Sequence, residues 1–311
     1  MVHRTPCKQS NTLNSIADSN VFLKLENLQK TGSFKVRGAF NKISQLSDEE
    51  CSRGIIAASA GNHAQGVALA GREKGVPVTV YMPETTPEAK VMATRHYGAK
   101  VILVGKNFEE AYAASKKEQL FTGAVFVHPF DDLAIIEGQA TVAMEMLQQC
   151  PDLDTIVVPA GGGGLLAGTA IAVKLIRPSV RVIGVQAQSA SAIASIFHGT
   201  NNSLVPFLPT IAEGIKVKEP GKLTTKIIKS YVDDVITVTE QEIASSILFM
   251  LEREKMLVEG AGAASVAAVL HRRLPFYSSN IGIIVSGGNF DIGKLAACRK
   301  TATELGTPSS F

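Results

Sequence analysis

Short apolar, β-branched runs alternate along this chain with longer stretches whose apolar positions recur every three to four residues. Runs at residues 21–25, 55–58, 78–81, 101–104, 155–158, 182–185, 235–238 and 281–285 predict strands. Several are apolar at successive positions, so both faces are buried, as in parallel strands covered by helices. The helical period runs through residues 34–46, 62–73, 87–96, 108–119, 133–149, 165–176, 240–254 and 261–272. Such alternation implies right-handed crossovers and open parallel twisted sheets, that is, an α/β fold. Gly75-Val76-Pro77 and Tyr97-Gly98-Ala99 fall where helix must give way to strand.

Composition narrows the class. Of 311 residues, 45% are hydrophobic and 19% charged, enough apolar side chains for a large core and too many for a disordered chain. The length suggests two domains, or one large unit with a smaller lobe. The 31 Lys and Arg against 28 Asp and Glu leave a net charge of +3, which does not favour a nucleic-acid or anionic-membrane partner. No apolar run approaches the ~20 residues of a membrane helix, and the first residues lack a signal-peptide pattern. The expectation is a soluble cytoplasmic protein. Cys7, Cys51, Cys150 and Cys298 lie far apart in sequence with no C-x-x-C spacing. That pattern predicts no zinc site, no dithiol centre and no disulfide scaffold.

Candidate chemistry concentrates in glycine-rich turns after strands, because ligands of open parallel sheets bind beyond the carboxyl ends of the strands. Ala160-Gly161-Gly162-Gly163-Gly164-Leu165 follows one predicted strand and opens a helix. Bare N–H groups there can converge on an anion, helped by the helix dipole. The spacing is neither G-x-G-x-x-G nor a P-loop, but four glycines in a row favour a phosphate cradle over a tight turn. Ser59-Ala60-Gly61-Asn62-His63-Ala64-Gln65-Gly66 also joins strand to helix. It suits a small carboxylate, and equally an ordinary helix cap. Ser286-Gly287-Gly288-Asn289 ends another strand and alone is only a turn. Lys35, in Ser33-Phe34-Lys35-Val36-Arg37-Gly38-Ala39, starts a helix. A partly desolvated lysine beside a carbonyl cofactor is a Schiff-base nucleophile. Lys24 and Lys30 read as solvated surface charges.

These four segments stand in the order and spacing of the fold-type II pyridoxal-phosphate enzymes. The chain resembles the threonine/serine dehydratase branch, nearest the short catabolic threonine dehydratases, from about Arg4 to Asp291. The resemblance implies a two-lobed, tryptophan synthase β-like fold. Its large domain would comprise residues 1–52 and 133–311, and its small domain 53–132. It implies that Lys35 forms the Schiff base with pyridoxal 5'-phosphate and is the catalytic residue. Phe34 would lie against the ring, Asn62 would bond the ring hydroxyl, and Gly161, Gly162, Gly163 and Gly164 would hold the phosphate. Ser286, with Gly287 beside it, would face the ring nitrogen. Gly214 and Glu259 would lie near the ring, and Ser59, Ala60, Gly61, Asn62 and His63 would take the substrate carboxylate. The implied activity is β-elimination from L-threonine to 2-oxobutyrate and ammonia, and from L-serine to pyruvate, in a cytoplasmic homodimer or homotetramer of amino-acid metabolism.

Alternatives remain open at this level. Serine racemases share all four motifs, but the resemblance places their second acid/base, a serine, at Ala60. It places their cation ligands at Gln186 and Ala192, with Ala190 between them, and none offers a carboxylate, so no metal site is expected. A 3-hydroxyaspartate dehydratase fits the motifs too, and a non-catalytic phosphate-metabolite binder would use the four glycines alone. The chain ends about twenty residues after Asn289, so a regulatory region after the catalytic domain is not expected, and the N-terminus is shorter than is usual for the family. His128 reads as structural and Cys51 as an unreactive thiol.

Overall fold

The computed structural model describes residues 2–200 and 207–304. The chain opens with β1 (Cys7–Gln9), α1 (Asn11–Ala17) and β2 (Asn20–Leu25), followed by α2 (Lys35–Ser44) and α3 (Asp48–Arg53). Next come β3 (Ile55–Ala58), α4 (Asn62–Lys74), β4 (Val78–Met82), α5 (Glu88–His96), β5 (Lys100–Leu103), α6 (Phe108–Thr122) and β6 (Val125–Phe126). α7 (Leu133–Gln149) leads to β7 (Thr155–Pro159), α8 (Gly164–Ile176), β8 (Arg181–Ala187), α9 (Ala192–Phe197), α10 (Lys222–Tyr231) and β9 (Asp234–Val238). α11 (Glu240–Glu252), α12 (Gly260–Leu270), β10 (Asn280–Val285) and α13 (Leu295–Thr303) follow.

Two sheets result. The larger has the order β1-β2-β10-β7-β8-β9, parallel except for β1, and the smaller runs β5-β4-β3-β6, all parallel. The α/β reading of the sequence therefore holds, and each of the eight predicted strands is present. β1 and β6 escape prediction because three or two residues are too few to show a period.

The large sheet is buried on both faces. Ile281, Ile283 and Val285 point into a core with α12, while Ile284 points into another with α7 and α8. α12 is buried along its whole length and is nearly all Gly, Ala and Val, so it packs tightly beneath the sheet. On the small sheet, Ile55, Ala57, Val78 and Val80 share a core with Ala64 and Val67 of α4 and with Ala39 and Ile43 of α2. α2 thus straddles the two sheets. Its other side meets α7 so closely that a Cβ on Gly38 would lie 2.3 Å from Gln139 Nε2, and one on Gly138 would lie 2.6 Å from Gly38 Cα.

One expectation from sequence fails here. Lys24 is fully buried, not solvated: its ammonium donates to Thr5 O at 2.8 Å, Glu145 Oε2 at 2.6 Å and Gln149 Oε1 at 2.9 Å. A buried charge survives when it is paired and hydrogen-bonded, and those partners lie too far along the chain to be read from it. Two cysteines distant in sequence meet in the fold. Cys7 and Cys150, 143 positions apart, have their sulfurs 3.0 Å from each other, because β1 docks beside the C-terminal end of α7. All four cysteines are free thiols. No helix among the described residues is long and apolar enough to cross a membrane.

Candidate active site

Three strand ends and the start of α2 converge. β10 runs into Ser286, whose carbonyl accepts from Phe34 N at 3.1 Å. Ser33 bridges Gly287, and Gly288 N donates to Gly32 O at 2.9 Å. The Ser286 turn and the Lys35 segment are therefore zipped together. Gly287 is needed at that seam, where a Cβ would lie 2.4 Å from Glu259 Oε1 and 3.2 Å from Ser33 Cβ. β3 runs into Ser59 and α4, which crosses α2 so closely that a Cβ on Gly66 would be 3.1 Å from the backbone of Lys35 and Val36.

Lys35 opens α2, and its side chain is partly buried. Nζ donates to Pro129 O at 2.7 Å and lies 5.4 Å from the Phe34 ring centroid. Burial lowers its pKa to about 8, with the Glu259 carboxyl pulling the other way. Glu259, the residue before α12, is itself raised to about 7 by burial, against the hydrogen bond from Asn62. Asn62 Nδ2 donates to Glu259 Oε1 at 2.7 Å, while Asn62 Oδ1 accepts from Asn289 Nδ2 at 2.8 Å. Asn289 also donates to Thr31 O. The amide of Asn62 is thereby fixed in one orientation, its N–H side toward Glu259.

The tetraglycine turn follows β7 and opens α8, with Gly163 at φ +97° as its cap. Phe130 fills the space beside it: a Cβ on Gly162 would be 2.2 Å from Phe130 Cδ1, and one on Gly164 3.1 Å from the Phe130 backbone. Thr224 Oγ1 donates to Gly162 O at 2.7 Å, and Asp131 in turn accepts from Lys222 N and Thr224 N, both at 3.1 Å. The segment 129–131 therefore touches Lys35 at one residue and braces the glycine turn through the next two. On the other side, Gly161 abuts Ile215, and a Cβ on Gly214 would be 3.0 Å from Ala261 Cβ and 3.5 Å from Glu259 Oε1. One loop thus touches both the glycine turn and the Glu259 corner.

Ser59, Ala60 and Gly61 form the turn into α4. Ser59 Oγ accepts from Gly61 N at 3.2 Å, and no side chain caps the helix. Its first N–H groups are left without intrahelical partners, which suits an anion. The ring of His63 does not join this cluster. It is 3% exposed, and Nε2 lies 2.9 Å from Val127 O. Burial, reinforced by the nearby Lys35 charge, lowers its pKa to about 3, so the ring is neutral and donates to that carbonyl. His128 accepts from Phe130 N and Asp131 N, a structural part in line with its sequence reading. Gln186 spends its amide on Ala160 O and Ala194 N. No group of three His, Cys, Asp or Glu among the described residues could hold a metal ion.

Pro129, Phe130, Asp131 and Thr224 escape sequence reasoning because none sits in a recognisable motif. Asn289 stands inside one, and only its contacts reveal what it does.

These residues fit a carbonyl cofactor with a phosphate tail. Lys35 offers an amine that is partly neutral near pH 8. The glycine turn offers backbone donors where any side chain would collide. The Ser286 hydroxyl, buried just after the end of β10, is an uncharged partner for a ring nitrogen. Comparison with known proteins agrees. Residues 1–287 match the family model described as pyridoxal-phosphate dependent enzyme. The chain is 50% identical over 296 residues to an L-threonine ammonia-lyase of Thermotoga maritima, covering 95% of this chain and 73% of the relative. Among solved structures it resembles threonine deaminase isoform 2 of Solanum lycopersicum, with a TM-score of 0.91 and 34% identity over 98% of this chain and 84% of that one. It also resembles maize serine racemase, with a TM-score of 0.88 and 39% identity over 98% and 94%. With motifs, site geometry and family match in agreement, the chain belongs to the pyridoxal-phosphate dependent enzymes.

Proposed function

We propose that this protein deaminates L-threonine to 2-oxobutyrate and ammonia, and L-serine to pyruvate. The observation that carries the reading is Lys35, a partly buried amine with its pKa lowered to about 8 by burial, joined to the bare-glycine turn through residues 129–131. The relative at 50% identity is named for the same reaction on threonine.

Bound pyridoxal phosphate supplies a carbonyl for the substrate amine and a conjugated ring that takes up electrons from Cα. Lys35 would hold that carbonyl, and its Nζ, partly neutral near pH 8, would serve as general base toward the Cα proton. Gly161, Gly162, Gly163 and Gly164 would hold the phosphate through backbone N–H groups, and Phe34 would lie against the ring. Asn62, oriented by Asn289 and Glu259, would donate to the ring hydroxyl. Gly214 and Gly287 leave room beside it. Ser286 would face the ring nitrogen, and its neutral hydroxyl would not hold a proton there as a carboxylate would. A ring held without a proton on its nitrogen would be a weaker electron sink, so the site would favour β-elimination, with the hydroxyl leaving as water once protonated, over transamination. Ser59, Ala60, Gly61, Asn62 and the His63 backbone at the start of α4 receive the substrate carboxylate. The small-sheet unit, residues 53–132, closes this loop over residues 1–52 and 133–311 and excludes water. A substrate-analogue complex in which the small sheet has not moved would remove the closure step.

Racemisation is the competing reading, favoured by the likeness to a serine racemase. It needs a proton donor on the second face of Cα, and Ala60 provides none on this loop. The test is a steady-state assay of 2-oxobutyrate from L-threonine, and of pyruvate and D-serine from L-serine, with Lys35→Ala as control. Dominant 2-oxo acid supports deamination. Dominant D-serine, or turnover that survives Lys35→Ala, overturns it. We further propose a homodimer or homotetramer, which sedimentation would check.

A further inference from the structure

Cys7 sits on β1, opposite Lys24 of β2, and Cys150 follows the last residue of α7. Their sulfurs are 3.0 Å apart. Nothing in the proposed chemistry uses them. α7 spans 17 residues, about 25 Å at 1.5 Å per residue. The segment 129–131 that touches Lys35 precedes its N-terminal end, so Cys150 stands at the end away from the site.

The surroundings of the pair favour thiol chemistry. The thiolate is the reactive form, and a nearby cation promotes it. Lys24 provides that cation, fully buried and fixed by Thr5 O, Glu145 and Gln149. The Cys7 thiol hydrogen-bonds its neighbour and lowers the Cys150 pKa against the effect of burial, while the same contact, together with burial, raises that of Cys7. Cys7 is partly exposed on an edge strand, whereas Cys298 is buried. The sulfurs need approach by only about 1 Å to reach the ~2.05 Å of a disulfide.

We propose that Cys7 and Cys150 are a modification site at which a hydroperoxide installs a reversible disulfide. The Cys150 thiolate attacks a peroxide oxygen; the O–O bond breaks, and hydroxide takes up a proton to leave as water. Cys150 is then a sulfenic acid. The Cys7 sulfur attacks it, the S–S bond forms, the S–O bond breaks, and a second water leaves with the Cys7 proton. Two thiols lose two electrons, and hydrogen peroxide gains them as two waters. The bond ties the three-residue edge strand β1 to the end of α7 and closes a loop across 143 positions of chain. It should resist fraying of the N-terminal segment without touching Lys35.

The test uses reduced holoenzyme treated with hydrogen peroxide, alkylated and digested without reductant. The expected product is a peptide pair joining Cys7 to Cys150. The intact protein should be two hydrogens lighter, revert with dithiothreitol, and melt about 5 °C or more higher when oxidised. Turnover should stay within twofold. Cys7→Ser and Cys150→Ser should lose the cross-link and Cys51→Ser should keep it. A wild-type map with both residues alkylated, oxidised only to sulfinic acid, or paired elsewhere overturns the proposal. That map decides the matter even if a serine variant fails to fold.

Discussion

Lys35 and Arg37 leave the same turn of α2 and meet opposite surroundings. Arg37 is buried, and Nε and Nη2 donate to the two Glu26 oxygens, each at 2.8 Å. Glu145 accepts from Nη1 at 2.8 Å and Nη2 at 2.9 Å, and holds Lys24 as well. Burial alone would lower the Arg37 pKa, but the bonds to Glu26 and Glu145 outweigh it and hold the guanidinium above its ordinary value. Lys35 has one carbonyl as its bonded partner. Burial therefore wins, and its amine titrates near pH 8. Glu259 shows the same logic with the opposite sign, since an amide in place of a cation leaves its carboxyl near pH 7. Matched charges turn burial into a permanent ion pair, and neutral partners turn it into a proton exchanger. Two residues apart, the helix carries one of each.

The widest separation should come from Lys35→Ala. We expect kcat to fall by about 10³-fold or more, with the melting temperature nearly unchanged; 2-oxobutyrate formation and a thermal scan check both. Arg37→Met is the mirror experiment. It strands Glu26 as an uncompensated buried charge, which costs about 3–5 kcal/mol in denaturant unfolding. The folded fraction should keep its turnover within about tenfold, a bound set by the two-residue distance from Lys35. If Arg37→Met stops turnover without destabilising, the division of labour is wrong. Gly162→Ala falls between the two kinds of site. Its Cβ would lie 2.2 Å from the Phe130 ring, so roughly 1–3 kcal/mol of overpacking should appear together with weaker retention of cofactor on dialysis.

The smallest effects are in pH dependence and belong to the apoprotein. Glu259 is raised from 4.5 to about 7, so the folded state keeps its proton longer than the unfolded chain. That contribution to stability is full below pH 4.5 and is lost as pH rises through 7. Lys35 is lowered from 10.5 to about 8, so the folded state sheds its proton first, and stability rises again between pH 8 and 10.5. Melting temperatures across pH should show both limbs. Glu259→Gln should remove the acidic limb and raise the melting temperature at pH 8 by roughly 2–4 °C. Lys35→Met should remove the alkaline limb alone. A profile unchanged by either variant would mean that neutral partners do not set these groups.

Much of this was legible in the chain. Apolar period is local, so residues 281–285 announced a doubly buried strand, and β10 alternates between two cores. Glycine runs are legible for a related reason: they mark backbone that must approach something, as Gly162 approaches Phe130. Asn62, Ser286 and Lys35 stood in such motifs, and the structure gathers them. What the chain alone did not show was the environment of individual side chains. Lys24 reads as a surface charge until Glu145 and Gln149 arrive from 121 and 125 positions away. His63 reads equally as part of a carboxylate loop or of a helix cap, and only the fold shows its ring on Val127 O.

The sequence by itself determined the order of strands and helices, the doubly buried sheet and the places where backbone is bare. Only the tertiary structure decided which charges are paired, where an amine titrates, and that Cys7 meets Cys150. The reason is range. Periodicity and turn chemistry are properties of adjacent residues, whereas the field and the partners at a buried atom come from segments brought together only when the sheets pack.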